Sequence, residues 1–170
     1  MICKLKEICS YRTEKINVDE IKKDDYISTD NLLPNFAGIG ELKSFPTCGN
    51  VNKYCKGDIL ISNIRPYFKK MIYSNKLSGC STDVLVIKSD EEKVNSKYLY
   101  YSLMCDNFFD YVMLTSKGTK MPRGDKNSIM NYEVMVPIIE NQNKIVDILD
   151  SLNSKIKLNN EINNNLCYQS

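Results

Sequence analysis

Three short apolar runs set the pattern in the middle of the chain. They are Ile59–Ser62, Met71–Tyr73 and the β-branched run Asp83–Lys88. Turn-forming residues separate them, with Gly57 before the first run and a polar stretch at 75–79 before the third. Continuous apolar runs of this kind are typical of strands that are covered on both faces. The pattern therefore predicts three buried strands.

The hydrophobic period changes from residue 96 onward. Leu99, Leu103 and Met104 fall on one face of a predicted helix, for which Ser96 is the expected N-cap. A second apolar group at 108–112 either continues this helix or begins another short one. A last strand is predicted at 133–136, where Pro137 ends it because proline cannot donate to a strand ladder.

The C-terminal segment has the pattern of one long helix. It contains no glycine or proline from Asn141 to Asn165, so the helix would be roughly 40 Å long. Residues spaced four, three and four apart form a coiled-coil seam that continues through two asparagines. The seam consists of Ile145, Leu149, Leu152, Ile156, Asn159, Asn163 and Leu166. Such a helix is longer than a body of this size covers, so we expect part of it to pair with another helix.

The basic residues are unevenly distributed, although the formal net charge is only +2. No acidic residue occurs from Ile59 to Thr82, whereas Arg65, Lys69 and Lys70 lie in that stretch. A second basic cluster lies at 117–126. A weakly basic body of this kind indicates a polyanionic partner.

The side-chain inventory narrows the possible chemistry. The chain has no histidine, which excludes Ser-His and Cys-His nucleophile pairs. Its seven cysteines are odd in number and include no C-x-x-C pair, so we expect free, reduced thiols and neither a metal site nor a cofactor. No apolar run is long enough to span a membrane and the N-terminus has no signal-peptide pattern. We therefore expect a cytoplasmic protein without a membrane partner.

The stretch KGTKMPRGDKN at 117–127 comes close to a Walker A phosphate loop but departs from it. Gly118 and Gly124 enclose five residues where the motif has four, and Asp125 stands in place of the lysine. Pro122 also removes one of the backbone N–H groups that such a loop needs. A nucleotide-binding loop is therefore not predicted, and no other catalytic motif is complete.

Loops that mix basic and polar residues remain as candidates for contact with nucleic acid. Cations suit phosphates, Arg65 and Arg123 suit bidentate contacts to guanine, and hydroxyl or amide groups suit base edges. The main candidates are Arg65, Lys69, Lys70, Lys117, Thr119, Lys120 and Arg123, and the weaker base-reading candidates are Ser28, Thr29 and Asn31. Composition alone leaves ordinary solvated loops as an open alternative.

Over most of its length the chain resembles the specificity (S) subunit of type I restriction–modification systems. The matching stretches keep their order along the chain. They are YISTDNLLPNFAGI at 26–39, GDILISNIRPYFKK at 57–70, GCSTDVLVIK at 79–88, SKYLYYSL at 96–103, and the run from KGTKMPRGDKN to the end of the predicted long helix at 117–166.

The resemblance implies an α+β fold: a twisted, mostly antiparallel β-sheet target recognition domain with short helices, followed by one long helix of coiled-coil type. Residues 1–138 would form the target recognition domain and 139–170 the spacer and dimerisation helix. The resemblance further implies a non-catalytic subunit that reads one half of a split site in double-stranded DNA. Its helix would dock the methyltransferase (modification) subunit and, through it, the restriction subunit. The matching stretches that contain the candidate DNA-binding residues recur among members of the family. The resemblance therefore favours contacts to the DNA backbone or structural roles for these residues over base discrimination.

A full S subunit has two target recognition domains and two helices, whereas this chain has one of each. It is either a half subunit whose copies form a homodimer through their helices, in parallel or antiparallel sense, or part of a longer product. A regulatory or decoy half subunit, which binds the methyltransferase without reading DNA, is the alternative function. An RNA-binding module is disfavoured because no strand has an RNP-type aromatic pair.

Overall fold

The computed structural model describes residues 1–167, with side chains as far as residue 163. In that part of the chain the elements are β1 (Ile2–Lys4), α1 (Leu5–Ile8), β2 (Cys9–Tyr11), β3 (Lys15–Asn17), β4 (Asn50–Tyr54), β5 (Ile59–Ser62), β6 (Met71–Tyr73), β7 (Ser78–Cys80), β8 (Val84–Ser89), α2 (Ser96–Leu103), α3 (Asp106–Leu114), α4 (Lys126–Ile129), β9 (Glu133–Met135) and α5 (Ile139–Cys167). Short 3-10 turns occupy Val18–Glu20, Lys23–Asp25 and Pro66–Phe68.

An antiparallel sheet of four strands, in the order β2-β8-β5-β6, lies at the centre of the fold. Alternate residues of β8 face opposite ways, as side chains of a strand must. Leu85 and Ile87 pack into the larger core with α2 and α3, whereas Val84 and Val86 pack into a second core. Both faces of the sheet are therefore covered, which confirms the prediction made from the continuous apolar runs.

The second core is closed by an antiparallel sheet of three strands, in the order β3-β4-β7. Tyr54 from β4 and Cys80 from β7 are fully buried there against Leu60 of β5. The approach is close at Gly79, where an added Cβ would lie 2.5 Å from the Val51 Cγ2 atom. A residue with a side chain would therefore force β7 away from its neighbours.

The two ends of the β-rich body meet in a small antiparallel pair of β1 and β9. Ile2 pairs with Met135 and Cys3 with Val134, and the polypeptide then enters α5. The predicted helix at 96 is present, but its N-cap is Asn95, whose Oδ1 accepts from the backbone N–H of Lys97 and Tyr98. The prediction of Ser96 as N-cap was therefore wrong by one residue. The apolar group at 108–112 belongs to a separate helix, α3.

One face of the first turns of α5 packs against α2. Gln142 is fully buried, and its Oε1 accepts from the Asn95 backbone N–H at 2.8 Å. Val146 is buried in the larger core, and Asp150 accepts a hydrogen bond from the Tyr101 hydroxyl at 2.6 Å. From 151 to 163 every residue of α5 is exposed. The body thus covers only the first part of the helix, as its length predicts.

These observations confirm the predicted α+β fold of mostly antiparallel sheets followed by one long helix. Every pairing between the named strands is antiparallel. No helix in the described part of the chain is long and apolar enough to cross a membrane.

Candidate nucleic-acid interface

The two main basic segments, which are far apart in the sequence, form one surface at an end of the four-stranded sheet. The loop at 63–70 joins β5 to β6, and the hairpin closed by the bridge between Lys117 and Arg123 lies against it. Ile64 forms an antiparallel bridge with Arg123, and the Arg65 backbone N–H donates to the Pro122 carbonyl at 2.9 Å. Backbone hydrogen bonds therefore fix the relative position of the two segments.

The weaker candidates at 28–31 lie beside the same surface. The Lys70 ammonium group donates to the Thr29 carbonyl at 2.6 Å. The backbone N–H groups of Asn35 and Phe36 donate to the carbonyls of Phe68 and Lys69 at 2.9 and 3.1 Å. The structure thus brings the two basic segments and the polar segment together. We call the loops 28–36, 63–70 and 117–124 the basic loops after the surface that they form, although 28–36 itself contains no lysine or arginine.

Unusual backbone conformations are concentrated in the basic loops. Asn35, Phe36, Arg65 and Lys69 have φ between 51° and 59°, in the left-handed region that residues other than glycine rarely adopt. They are the non-glycine residues with positive φ in the described chain. Such conformations cost on the order of 1 kcal/mol each and tend to occur at functional sites. Here the backbone hydrogen bonds between the loops hold them in place.

Three of the predicted cations are paired with carboxylates from neighbouring elements. Lys69 lies 2.6 Å from Asp106, Lys117 lies 2.7 Å from Asp125, and Arg123 lies 3.0 Å from Asp83. Arg65, Lys120 and Thr119 are exposed, and neither Arg65 nor Lys120 forms an ion pair within the described chain. The surface therefore combines two exposed cations without an ion pair, Lys70 bound to the Thr29 carbonyl, and three cations that would exchange a carboxylate for a phosphate.

Burial and the close spacing of these charges shift the pKa of two groups. Burial lowers the pKa of Lys70, and the nearby positive charges of Lys43 and Arg65 act in the same direction against Asp30. The ion pair with Lys117, together with hydrogen bonding from Ser128, lowers the pKa of Asp125 to about 2. Asp125 therefore stays ionised at neutral pH.

Asp125 also decides the structure of the KGTKMPRGDKN stretch. Its Oδ1 accepts from the backbone N–H of Ser128 at 2.9 Å and so caps the short helix α4. The capping carboxylate occupies the helix N-terminus that a phosphate loop would offer to its anion. The stretch is thus a hairpin followed by a capped helix, and its spacing, proline and aspartate all agree with that structure.

Asn31 is engaged within its own loop. Its side chain is almost fully buried, at 2% exposed, and its Oδ1 accepts from the Ser28 backbone N–H at 2.7 Å. Its amide nitrogen donates to the Tyr26 carbonyl at 2.9 Å. In this conformation Asn31 cannot offer its amide to a base, and it shapes the loop instead. Ser28 and Thr29 are partly exposed.

We expect Asn31→Ala to lower the stability of the fold. The substitution leaves the Ser28 N–H and the Tyr26 carbonyl without their buried partner, which costs about 1–3 kcal/mol for such a group. Thermal and urea unfolding would measure the loss, with Thr29→Ala as the matched control in the same loop. An unchanged unfolding midpoint would show that the amide hydrogen bonds do not hold the loop.

Several residues at this surface were not predicted from the sequence. Asn63 lines an open cleft of about 600 Å³ next to Lys117 and Arg123, and its Oδ1 is buried without a hydrogen-bond partner in the described chain. The exposed side chains Tyr67, Phe68 and Met121 lie on the tips of the loops. The aromatic residues could have been found from the sequence, because they stand between Arg65 and Lys69. The cleft could not, because separate segments of the chain form it.

The seam predicted on α5 lies mostly on its uncovered side. Ile145, Leu152, Ile156, Asn159 and Asn163 are exposed, and Leu149 is partly exposed. The Leu166 side chain lies outside the described part of the structure. The buried positions Gln142 and Val146 belong to a different face, which the seam did not include. Helix pairing itself stays a prediction, because a single copy of the chain is present.

The structure offers no obvious metal site in its described part. No group of three or more Cys, Asp or Glu side chains between residues 1 and 163 is placed to hold a metal ion. The six described cysteines are free thiols, and Cys3, Cys9 and Cys80 are buried. Burial raises the pKa of Cys9 and Cys80 to about 12, so both thiols are protonated at neutral pH.

Comparison with known proteins identifies the class to which this arrangement belongs. The chain belongs to the family of type I restriction modification DNA specificity domains, whose family model matches residues 1–167. It is 31% identical over 150 residues to the type I restriction enzyme HindI specificity subunit of Haemophilus influenzae, covering 83% of this chain and 32% of that protein. It is 24% identical over 136 residues to the EcoDI specificity subunit of Escherichia coli, covering 75% and 30%.

The fold is also that of a solved specificity subunit. The HsdS subunit of Thermoanaerobacter tengcongensis superposes with a TM-score of 0.69 at 18% identity, covering 92% of this chain and 43% of that one. The chain spans about a third of the curated relatives it matches. The expectation of a non-catalytic chain agrees with this family, since both curated relatives are named as specificity subunits.

Proposed function

We propose that residues 1–138 form a target recognition domain that reads one half of a bipartite site in double-stranded DNA. The convergence of the three basic loops on one surface carries this proposal. Cations at the loops contact phosphates and position the domain, and polar groups between them contact base edges. The strained backbone at Arg65 and Lys69 supports a functional role for the surface.

The same proposal assigns residues 139–170 to docking and spacing. The basic loops lie at one end of the four-stranded sheet, the end at which Ser62 of β5 pairs with Val84 of β8. The opposite end of the sheet contains Tyr73, whose hydroxyl lies 2.9 Å from Ser96, and the first turns of α5 attach beside it. The first turns of α5 thus attach beside the end of the sheet remote from the proposed DNA surface, and residues 151–163 of the helix are exposed and available to other proteins.

We further propose that the exposed seam of α5 binds the methyltransferase subunit, through which the restriction subunit joins, and pairs two copies of the chain. A two-fold pair would present two identical recognition domains in inverted orientation, and the split site would then be palindromic. Sedimentation at micromolar concentration tests the pairing, and a monomer would contradict it. A chain that acts on chromosomal DNA in this way works in the cytoplasm.

Selection from a random pool of DNA duplexes tests the recognition function. The chain, assembled with the modification subunit of its host's type I system, is expected to enrich a split motif with inverted halves. The double variant Arg65→Ala/Lys120→Ala, which removes two exposed cations that form no ion pair, is the negative control. Assembly without any enrichment would instead support a decoy that occupies the methyltransferase and reads no DNA.

A further inference from the structure

Two aromatic side chains are exposed at the tip of the loop that joins β5 to β6. The tip is the short 3-10 turn Pro66–Phe68, in which Pro66 is buried. Tyr67 is 47% exposed and Phe68 is 38% exposed, and their ring centroids lie 4.6 Å apart. Single exposed aromatic residues are common at protein surfaces, but an adjacent pair on one turn forms an apolar patch that is available to a partner.

The tip is rigidly supported from within and from outside. Within the turn, the Phe68 N–H donates to the Arg65 carbonyl at 3.1 Å and the Lys69 N–H donates to the Pro66 carbonyl at 2.8 Å. Outside it, the Phe68 carbonyl accepts from the Asn35 N–H at 2.9 Å. The left-handed residues Arg65 and Lys69 flank the turn on both sides. A pre-organised tip loses little entropy on binding, so its rings make an efficient contact.

Positive charge surrounds these rings. Arg65, Lys69 and Lys70 are neighbours along the loop, and the Lys70 Nζ lies 5.7 Å from the centroid of the Phe68 ring. A third exposed apolar side chain, Met121, is 44% exposed on the adjacent hairpin, one residue before the Pro122 carbonyl that Arg65 contacts. Apolar rings among cations suit a partner with negative charge outside and flat apolar faces inside, which describes DNA.

We propose that Tyr67 and Phe68 insert as a wedge at one base step of the bound duplex and unstack it. This inference rests on the proposed recognition function and specifies how the domain contacts its site. The flanking cations hold the backbone phosphates on either side while the rings enter the groove. Insertion of apolar side chains opens a base step and kinks the duplex. The bent duplex then makes a larger contact with the protein. Part of the binding energy is therefore independent of salt.

A fluorescent adenine analogue, whose emission rises when it leaves the base stack, tests the wedge. It is placed at successive positions of the duplex recovered by selection. The wild-type chain is expected to raise the emission at one step. In Tyr67→Ala/Phe68→Ala this rise disappears and affinity falls about 10- to 100-fold. The slope of affinity against salt stays the same, because no phosphate contact is removed.

Two matched variants accompany this test. Tyr67→Phe keeps the ring and is expected to keep the fluorescence signal. Leu77→Ala removes an exposed apolar side chain at the opposite end of the sheet and is expected to change nothing. Thermal unfolding of each variant confirms that the domain remains folded.

The outcomes separate this inference from the function on which it rests. If the wild type enriches a sequence and the double alanine variant still unstacks the same step, the wedge is wrong. If DNA binding is unchanged but assembly with the modification subunit is abolished, the tip is a protein contact instead. If the wild type enriches no sequence at all, the recognition function itself fails.

Discussion

Leu152→Asp combined with Ile156→Asp is expected to abolish helix pairing and docking of the modification subunit while the recognition domain stays folded. These side chains are 50% and 57% exposed and lie on the seam of α5, in the stretch 151–163 where every residue is exposed. Burying each in a partner helix would stabilise the assembly by about 1.5–3 kcal/mol. Aspartate removes that contribution and adds the cost of desolvating a charge. In a homodimer both copies change, so the destabilisation doubles.

The measurement has two parts, since assembly and fold must be separated. Sedimentation and co-purification with the modification subunit report assembly, and thermal unfolding reports the stability of the domain. The matched control is Ser151→Asp with Ser154→Asp, which adds the same charge to exposed polar positions on the same stretch of helix. An assembly that survives the seam substitutions but not the serine substitutions would place the partner on another face of α5.

The elements that could be predicted from the sequence are those whose hydrophobic pattern lies within one short segment of the chain. Strands β5, β6 and β8 were found because both of their faces are buried, which produces a continuous apolar run. Strand β3 was missed because only Ile16 of its three residues is buried, and so short a strand has no hydrophobic period of its own. Its position depends on pairing with β4, which is far away in the sequence.

The face of α5 that packs against the domain could not be predicted from hydrophobic periodicity either. The seam through Ile145 and Leu149 is the strongest apolar period, yet the contact with α2 uses Gln142, Val146 and Asp150. Two of these residues are polar, and they are held at the contact because Asn95 and Tyr101 supply hydrogen-bond partners. Hydrophobic periodicity cannot detect a docking face that is held by hydrogen bonds.

The candidate interface was predicted as residues but not as a surface. Its cations could be found from the gap in acidic residues between 59 and 82 and from the cluster at 117–126. Nothing in the residue pattern indicated that Arg65 and Pro122 share a hydrogen bond, because the two segments belong to distant loops. The sequence also did not indicate that Asp83 forms an ion pair with Arg123 or that Asp106 forms one with Lys69. Both facts depend on the complete fold.

Lys120→Ala combined with Arg123→Ala is expected to weaken DNA binding for all sequences and to flatten its dependence on salt. Each phosphate contact releases counterions, so removing one should reduce the slope of log affinity against log salt by about 0.9, and removing both by about 1.8. Hydrogen bonds to charged groups contribute about 1.5–3 kcal/mol each, so loss of two should lower the affinity by about 10²- to 10⁴-fold. Titrations between about 50 and 200 mM salt would measure both quantities.

Two further variants decide whether the effect is local. Lys56→Ala with Lys88→Ala removes the same charge from exposed positions at the other end of the sheet, beyond the screening length of about 8 Å at physiological salt. It should leave the slope unchanged. Asp83→Asn releases Arg123 from its carboxylate, 3.0 Å away, and should raise affinity a few-fold by removing repulsion of the phosphates. If Lys120→Ala/Arg123→Ala binds with the wild-type slope, the hairpin does not contact the DNA. If both double variants flatten the slope equally, binding depends on overall charge, and the basic loops have no privileged role.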